Sequence, residues 1–269
     1  MKPVNALILT GYGMNCDHET AHSFELAGAK AQRVHINSLV NGDVSLSDFQ
    51  IVAFVGGFSW GDDHGAGVVQ AIRMNTHLGE QIQAFMTGGN LIIGICNGFQ
   101  TLVNMGLLPG GEHSKERCVA LVHNDGGNFR DDWVHLKINE KSPCVFTKNM
   151  DLVEYPIRHG EGKFYADADV LDELIKQNRV VLRYAKPDGS LAKGDFPYNP
   201  NGSLDDIAGI CDVSGRVFGL MPHPEAFNHW VNHPTWTKQK EMAKRAGKMF
   251  GEGITPGIRL FKNAVEYFK

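Results

Sequence analysis

With 269 residues, 42% of them hydrophobic and 21% charged, the chain can bury one large core and reads as a globular enzyme, not a disordered or fibrous one. A formal net charge of −4 argues against nucleic acid as the main partner, because phosphate binding needs a basic footprint. No apolar run reaches bilayer length, which speaks against a membrane. Met1–Thr10 carries one lysine and a short apolar stretch before Gly11-Tyr12-Gly13, too brief for a signal-peptide core. The five cysteines, scattered and without a C-x-x-C pair, predict a reducing cytoplasm and no disulfide framework.

The first hundred residues alternate short aliphatic runs with amphipathic stretches. Strands are predicted over Val4–Thr10, Ala31–Ile36, Ile51–Val55 and Leu91–Ile95. Helices are predicted from Asp17 (as an Asp cap) to Gly28, over Val68–Met86 before Gly88-Gly89, and from Asn97 to Met105. Such alternation predicts an α/β fold: a mainly parallel central sheet with helices on both faces. From about Arg117 the chain becomes strand-rich, with candidates at Cys118–Val122, Val134–Ile138, Leu152–Ile157, Val180–Tyr184, Ile207–Cys211 and Arg216–Leu220. Pro187-Asp188-Gly189 and Asn199-Pro200-Asn201-Gly202 supply turns. A basic helical stretch, Thr235–Phe250, and an amphipathic helix, Pro256–Phe268, close the chain. With no internal repeat and no low-complexity linker, residues 1–269 read as one domain.

Gly94-Ile95-Cys96-Asn97-Gly98 fits G-x-C-x-G, the cysteine form of the G-x-S-x-G nucleophile elbow, with an apolar strand before it and a helix after it. A sharp turn there pushes a nucleophile out of the sheet edge, and the helix N-terminus favours thiolate at Cys96. The bland alternative is an inert cysteine ending a core strand. In Met221-Pro222-His223-Pro224-Glu225 the prolines hold Met221 and His223 out of helix. Extended geometry would then aim His223 and Glu225 at one place, the histidine to take the thiol proton and the glutamate to fix its ring. Taken singly, this is a loop histidine beside a solvated glutamate; together with the cysteine turn it points to nucleophilic catalysis. Backbone N–H groups of Gly57, in Gly56-Gly57-Phe58-Ser59-Trp60-Gly61-Asp62, and of Asn97 are candidates for an oxyanion hole, although glycine loops are common at sheet edges. Gln100 shares the helix face of Cys96, as an ordinary polar residue or as a contact to an amino-acid substrate.

These segments resemble the class I, triad-type glutamine amidotransferases and, more narrowly, the glutaminase subunits of phosphoribosylformylglycinamidine synthase. The resemblance runs in family order from Asn15-Cys16-Asp17 to the C-terminal helix. It is carried by the glycine loop 56–62, by Gly94-Ile95-Cys96-Asn97-Gly98-Phe99-Gln100 with Gly106-Leu107-Leu108-Pro109-Gly110, by His159-Gly160-Glu161-Gly162, by Asn199-Pro200-Asn201-Gly202-Ser203 and by Met221-Pro222-His223-Pro224-Glu225. It implies Cys96, His223 and Glu225 as the triad, Gly57 and Asn97 as the oxyanion hole, Gln100 helping to hold glutamine, and His159 and Glu161 near the glutamine site or the partner face. The partner it implies is an ATP-using synthetase subunit, with room for a small third subunit. This chain lacks G-x-x-x-x-G-K-[ST], so no cofactor is expected on it, and ATP and Mg on the partner. Trp60 stands where tyrosine is usual, Ala226 where arginine is common, and about 230–255 is an insertion relative to shorter relatives.

Three other readings compete. His18-Glu19-Thr20-Ala21-His22 matches the H-E-x-x-H zinc motif, yet it sits at a helix start with no third ligand in view, so no metal is expected. Elbow-cysteine stress proteins and peptidases of related fold pair the cysteine differently. A non-catalytic assembly subunit would not need the triad. The run Lys238, Lys240, Lys244, Arg245, Lys248 reads as a solvated helix face or as a docking surface for an acidic partner.

Overall fold

The computed structural model describes residues 3–111 and 117–269; Met1 and Lys2, where the leader reading begins, lie outside them. The predicted alternation appears as β1 (Asn5–Thr10), α1 (Asp17–Leu26), β2 (Lys30–His35), a short α2 (Ile36–Val40), β3 (Ile51–Phe54), α3 (Val68–Thr87), β4 (Leu91–Ile95) and α4 (Asn97–Asn104). After these come β5 (Val119–Val122), β6 (Arg130–Ile138), β7 (Leu152–His159), β8 (Lys163–Ala166), α5 (Ala168–Lys176), β9 (Val180–Ala185), β10 (Ile207–Cys211), β11 (Val217–Leu220), α6 (Trp236–Arg245) and α7 (Pro256–Glu266).

Nine strands form one sheet in the order β2-β1-β3-β4-β11-β10-β9-β6-β7, and β5 pairs with β8 in a separate ribbon. The strands from β2 to β11 in that order are parallel to one another; β10, β9, β6 and β7 add antiparallel pairings. The strand-rich second half is therefore mostly an extension of the first sheet. Every residue of β3, β4, β10 and β11 is buried, which is why these runs are apolar without alternation.

The chain moves from β1 outward to β2 through α1, and from β3 to β4 in the opposite direction through α3. Right-handed crossovers in opposite directions put the helices on opposite faces. The amphipathic α7 lies with α1, where Phe24 meets Phe261 edge to face at 4.8 Å between ring centroids, while α4 packs against α3.

Asp17 is not the cap of α1. Cys16 holds the cap position without a side-chain bond, and the Asp17 carboxylate accepts from Arg33 Nε at 2.6 Å instead. β8 and α5 escape the sequence pattern, since β8 is only four residues long and α5 buries only Val170 and Leu174. The basic stretch is helical only over α6, which buries no residue. Among the described residues no helix is long and apolar enough to cross a membrane.

Candidate active site

Parallel strands deliver their C-terminal ends to one edge of a sheet, the usual place for a site in such folds. Here those ends are Cys96 after β4, the glycine pair 56–57 after β3, and His223 beyond β11. β7 reaches the same edge because four successive antiparallel pairings return the chain to the direction of β11. Hydrogen bonds tie these ends together. Cys96 N–H donates to Leu220 O at 2.8 Å, His223 N–H to Pro156 O at 2.8 Å, and Cys96 Sγ to Arg158 O at 3.6 Å.

Cys96 has φ 51° and ψ −108° between strand and helix, a backbone region that side chains other than glycine rarely adopt. Such strain costs roughly 1–3 kcal/mol and persists only where the surroundings enforce it. Part of the enforcement is the close approach of α4 to β3. A Cβ on Gly98 would stand 2.0 Å from Phe54 O, so only glycine lets the helix begin there.

His223 Nδ1 lies 2.6 Å from Glu225 Oε1, and both side chains are buried. The pairing is achieved differently from the extended alternation the prolines suggest. Glu225 lies in a 3-10 turn, Pro224–Phe227, and it is the turn that folds its carboxylate back onto the ring. Burial alone pushes the His223 imidazolium down. The Glu225 carboxylate, then Cys96, outweigh that burial, together with hydrogen bonding to the Cys16 and Cys96 thiols, and hold its pKa well above the ordinary histidine range.

Cys16 has no assigned role in the sequence reading, although Asn15-Cys16-Asp17 belongs to the resemblance. Its N–H donates to Gly56 O at 3.3 Å, and its thiol reaches the His223 ring. Burial raises the Cys16 pKa, with the hydrogen bond to His223 opposing the rise. No spacing rule links position 16 to position 223, so only the fold reveals the contact.

The glycine loop is stitched to the start of α4. Ser59 N–H donates to Asn97 Oδ1 at 3.2 Å, and Asn97 Nδ2 donates to Asp62 Oδ1 at 2.9 Å and to Gln100 Oε1 at 3.2 Å. Gly57 has φ 142°, and a Cβ there would meet Gly13 O at 2.5 Å. Asn97 opens α4, so its N–H belongs to the first-turn donors that have no acceptor within the helix. Burial lifts the Asp62 carboxyl to about 6, against the Asn97 hydrogen bond and with Glu161 adding repulsion.

Gln100 Nε2 donates to Glu161 O at 2.6 Å, which joins the helix after Cys96 to the segment after β7. His159 is buried at the end of β7 with Nδ1 3.1 Å from Asn124 Oδ1, while the Glu161 carboxylate is 3.5 Å from His123. Asn124 escapes the sequence reading because nothing marks one asparagine in a turn. Of the H-E-x-x-H residues, His18 lies 3.3 Å from Arg33 Nη1 and His22 is exposed. Among the described residues, the one group of three side chains whose ligand atoms lie close enough to share an ion is Cys16, His223 and Glu225, elsewhere in the fold.

A buried thiol facing a carboxylate-backed imidazole, beside a glycine loop, is equipped for acyl transfer. The chain belongs to the glutamine amidotransferases: the family model described as "CobB/CobQ-like glutamine amidotransferase domain" matches residues 3–268. Its relatives narrow this further. It is 47% identical, over 97% of its own length and 96% of the other's, to "Phosphoribosylformylglycinamidine synthase subunit PurQ" of Methanococcus maripaludis. It is 45% identical to the protein of the same name from Dehalococcoides mccartyi, covering 99% of this chain and 98% of that one. A chain of the "Structure of PurLQS from Thermotoga maritima" superposes over 100% of both chains with a TM-score of 0.69 at 31% identity.

Proposed function

We propose that this chain is the glutaminase component of phosphoribosylformylglycinamidine synthase, which releases ammonia from glutamine and passes it to an ATP-dependent synthetase subunit in purine biosynthesis. The observation that carries the reading is the buried 2.6 Å contact between His223 and Glu225, with Cys96 near enough for its charge to favour the imidazolium.

Cys96 sits on a nucleophile elbow, its strained backbone turning the sulfur out of the sheet edge toward substrate. His223 takes the thiol proton, and Glu225 fixes the ring with Nδ1–H toward the carboxylate and favours the imidazolium. The sulfur attacks the side-chain amide of glutamine, and the N–H groups of Gly57 and Asn97 receive the oxyanion. Each such donor contributes about 3–4 kcal/mol to the transition state. His223 then returns its proton to the departing nitrogen, and water activated by the same ring cleaves the glutamyl thioester. Gln100, His159 and Glu161 line the glutamine side of the cleft.

Ammonia free in neutral water becomes ammonium, which is not a nucleophile, so the released molecule needs a sheltered route into a docked partner. The similarity to PurQ subunits and to a chain of the PurLQS structure supports a docked partner, which in this proposal is the ATP-using synthetase subunit, with room for a small third subunit. ATP and Mg belong on that partner, in keeping with the absence of a phosphate-binding G-x-x-x-x-G-K-[ST] string from this sequence. Cytoplasmic residence fits five cysteines held as free thiols. In the assembled complex, Cys96→Ala should abolish glutamine-dependent amidation and leave amidation driven by added ammonium salt intact. Glutaminase activity that survives Cys96→Ala would sink the reading.

A further inference from the structure

The His159 ring carries an acceptor that no group among the described residues uses. It is 2% exposed and lies against Gly162, where a Cβ would stand 2.3 Å from ring atoms. Its neighbours fix the tautomer. Asn124 Nδ2 donates to His159 O at 2.8 Å and to Asn128 O at 3.0 Å, so the other end of that amide is oxygen, and it accepts Gly162 N–H at 3.1 Å. His159 Nδ1, 3.1 Å from the same oxygen, can only be an N–H donor. Nε2 is therefore a bare lone pair, buried and without a partner among the described residues. Burial, then the nearby charge of His223, push the His159 pKa down to about 3, so the ring is neutral throughout the physiological range.

A buried lone pair of this kind calls for an N–H or O–H donor. β7 sets its position, with Arg158 O on Cys96 Sγ immediately before it and Glu161 O on Gln100 Nε2 shortly after. The charge of His223 acts on the His159 ring, which puts the two imidazoles close together, and the amide nitrogen of a glutamine bound for attack by Cys96 is a group with N–H bonds to offer there. We propose that His159 Nε2 accepts a hydrogen bond from that nitrogen and holds it as neutral ammonia once it has left. The inference rests on the glutaminase reading of Cys96. When the tetrahedral intermediate collapses, the C–N bond breaks and its electron pair stays on nitrogen, which takes one proton from the His223 imidazolium. The product is NH3, its lone pair free for the next acceptor and one N–H directed at His159. An imidazolium at 159 would repel that of His223 and could hand ammonia a further proton, making ammonium. A neutral acceptor does neither.

The test uses the assembled complex and measures glutamate formed against amidated product. His159→Asn keeps a donor toward Asn124 and removes the acceptor, whereas His159→Gln returns an oxygen near the Nε2 position. In His159→Asn, glutamate per amidated product should rise about fivefold, the factor that one neutral hydrogen bond carries. Free ammonia should appear in the medium, with amidation from added ammonium unchanged, and any rise in the KM for glutamine should accompany the loss of coupling. His159→Gln should restore coupling. Unchanged coupling in His159→Asn would overturn the proposal. So would accumulation of the thioester, which would assign Nε2 to the attacking water, or an effect confined to KM, which would assign it to holding glutamine. Should the variants fold poorly, the ring nitrogens are read directly in a Cys96→Ala complex with 15N-histidine in this chain. Adding glutamine must move the His159 Nε2 resonance in the direction of hydrogen-bond acceptance, and a stationary resonance overturns the proposal. A wild-type complex that makes no glutamate would instead remove the glutaminase reading itself.

Discussion

Replacing Glu225 with glutamine keeps the shape of the pair and removes its charge. In the native site two opposed effects act on the His223 imidazolium: burial disfavours it, and the Glu225 carboxylate at 2.6 Å is the largest influence in its favour. With the charge gone, burial is opposed only by Cys96 and by the thiol hydrogen bonds, so the imidazolium becomes less stable. Breaking a buried charge pair costs roughly 3–5 kcal/mol. If that falls on the transition state, kcat/KM for glutamine drops about 10²- to 10⁴-fold. The pH profile gives a sharper readout. The native pKa lies above the ordinary histidine range, so the limb on which activity falls as the imidazolium loses its proton lies at alkaline pH. In Glu225→Gln that limb should move toward lower pH. Glutamine hydrolysis by the complex, followed as glutamate release from acid to alkaline pH with ammonia-driven amidation as the control, tests both parts. A loss below tenfold, or a uniform loss with the limb unmoved, would refute the claim that the carboxylate acts through the charge on the ring.

Asp62→Asn should stabilise the fold at alkaline pH but not at acid pH. The folded carboxyl titrates near 6 against an ordinary 3.8, so its ionised form costs stability progressively between those values and fully above them. Removing the charge should return about 1 kcal/mol at pH 8 after the screening its half-buried position permits, and little at pH 4, as read from urea unfolding. Gly98→Ala should cost roughly 3 kcal/mol or more, because its Cβ would meet the backbone oxygen of Phe54 at 2.0 Å and force α4 off the sheet. Gly79→Ala in α3, with nothing within 4 Å of the new Cβ, should instead stabilise by about 0.5–1 kcal/mol in the same assay. Lys240→Glu with Lys244→Glu on α6, which buries none of its residues, should weaken binding to the synthetase and leave labelling of Cys96 by a glutamine analogue unchanged. Unchanged affinity would mean that the face is merely solvated.

Much of this architecture is local, and for that reason it is written in the sequence. Leu91–Ile95 followed by Cys96-Asn97-Gly98 specifies strand, turn and helix through neighbours in the chain, and the structure has β4 and α4 within a residue of the predicted limits. Local order also marks His223 and Glu225 as a pair, because prolines restrict the backbone around them. Where the sequence misjudged, either a contact further along the chain or an unforeseen local turn had won. Asp17 forgoes its cap because Arg33 is close in space, and Glu225 meets His223 through a 3-10 turn that strand alternation does not foresee. The strand order, the return of β7 to the edge that holds Cys96, the Cys16 thiol against the imidazole and the bare nitrogen of His159 appear only in the folded molecule. The last two depend on contacts between residues far apart in the chain, Cys16 with His223 at 207 positions and Asn124 with His159 at 35. Backbone propensity acts over a few residues, whereas burial and charge act through space, so the chemical character of this chain is readable from its sequence and the tuning of its site only from its tertiary structure.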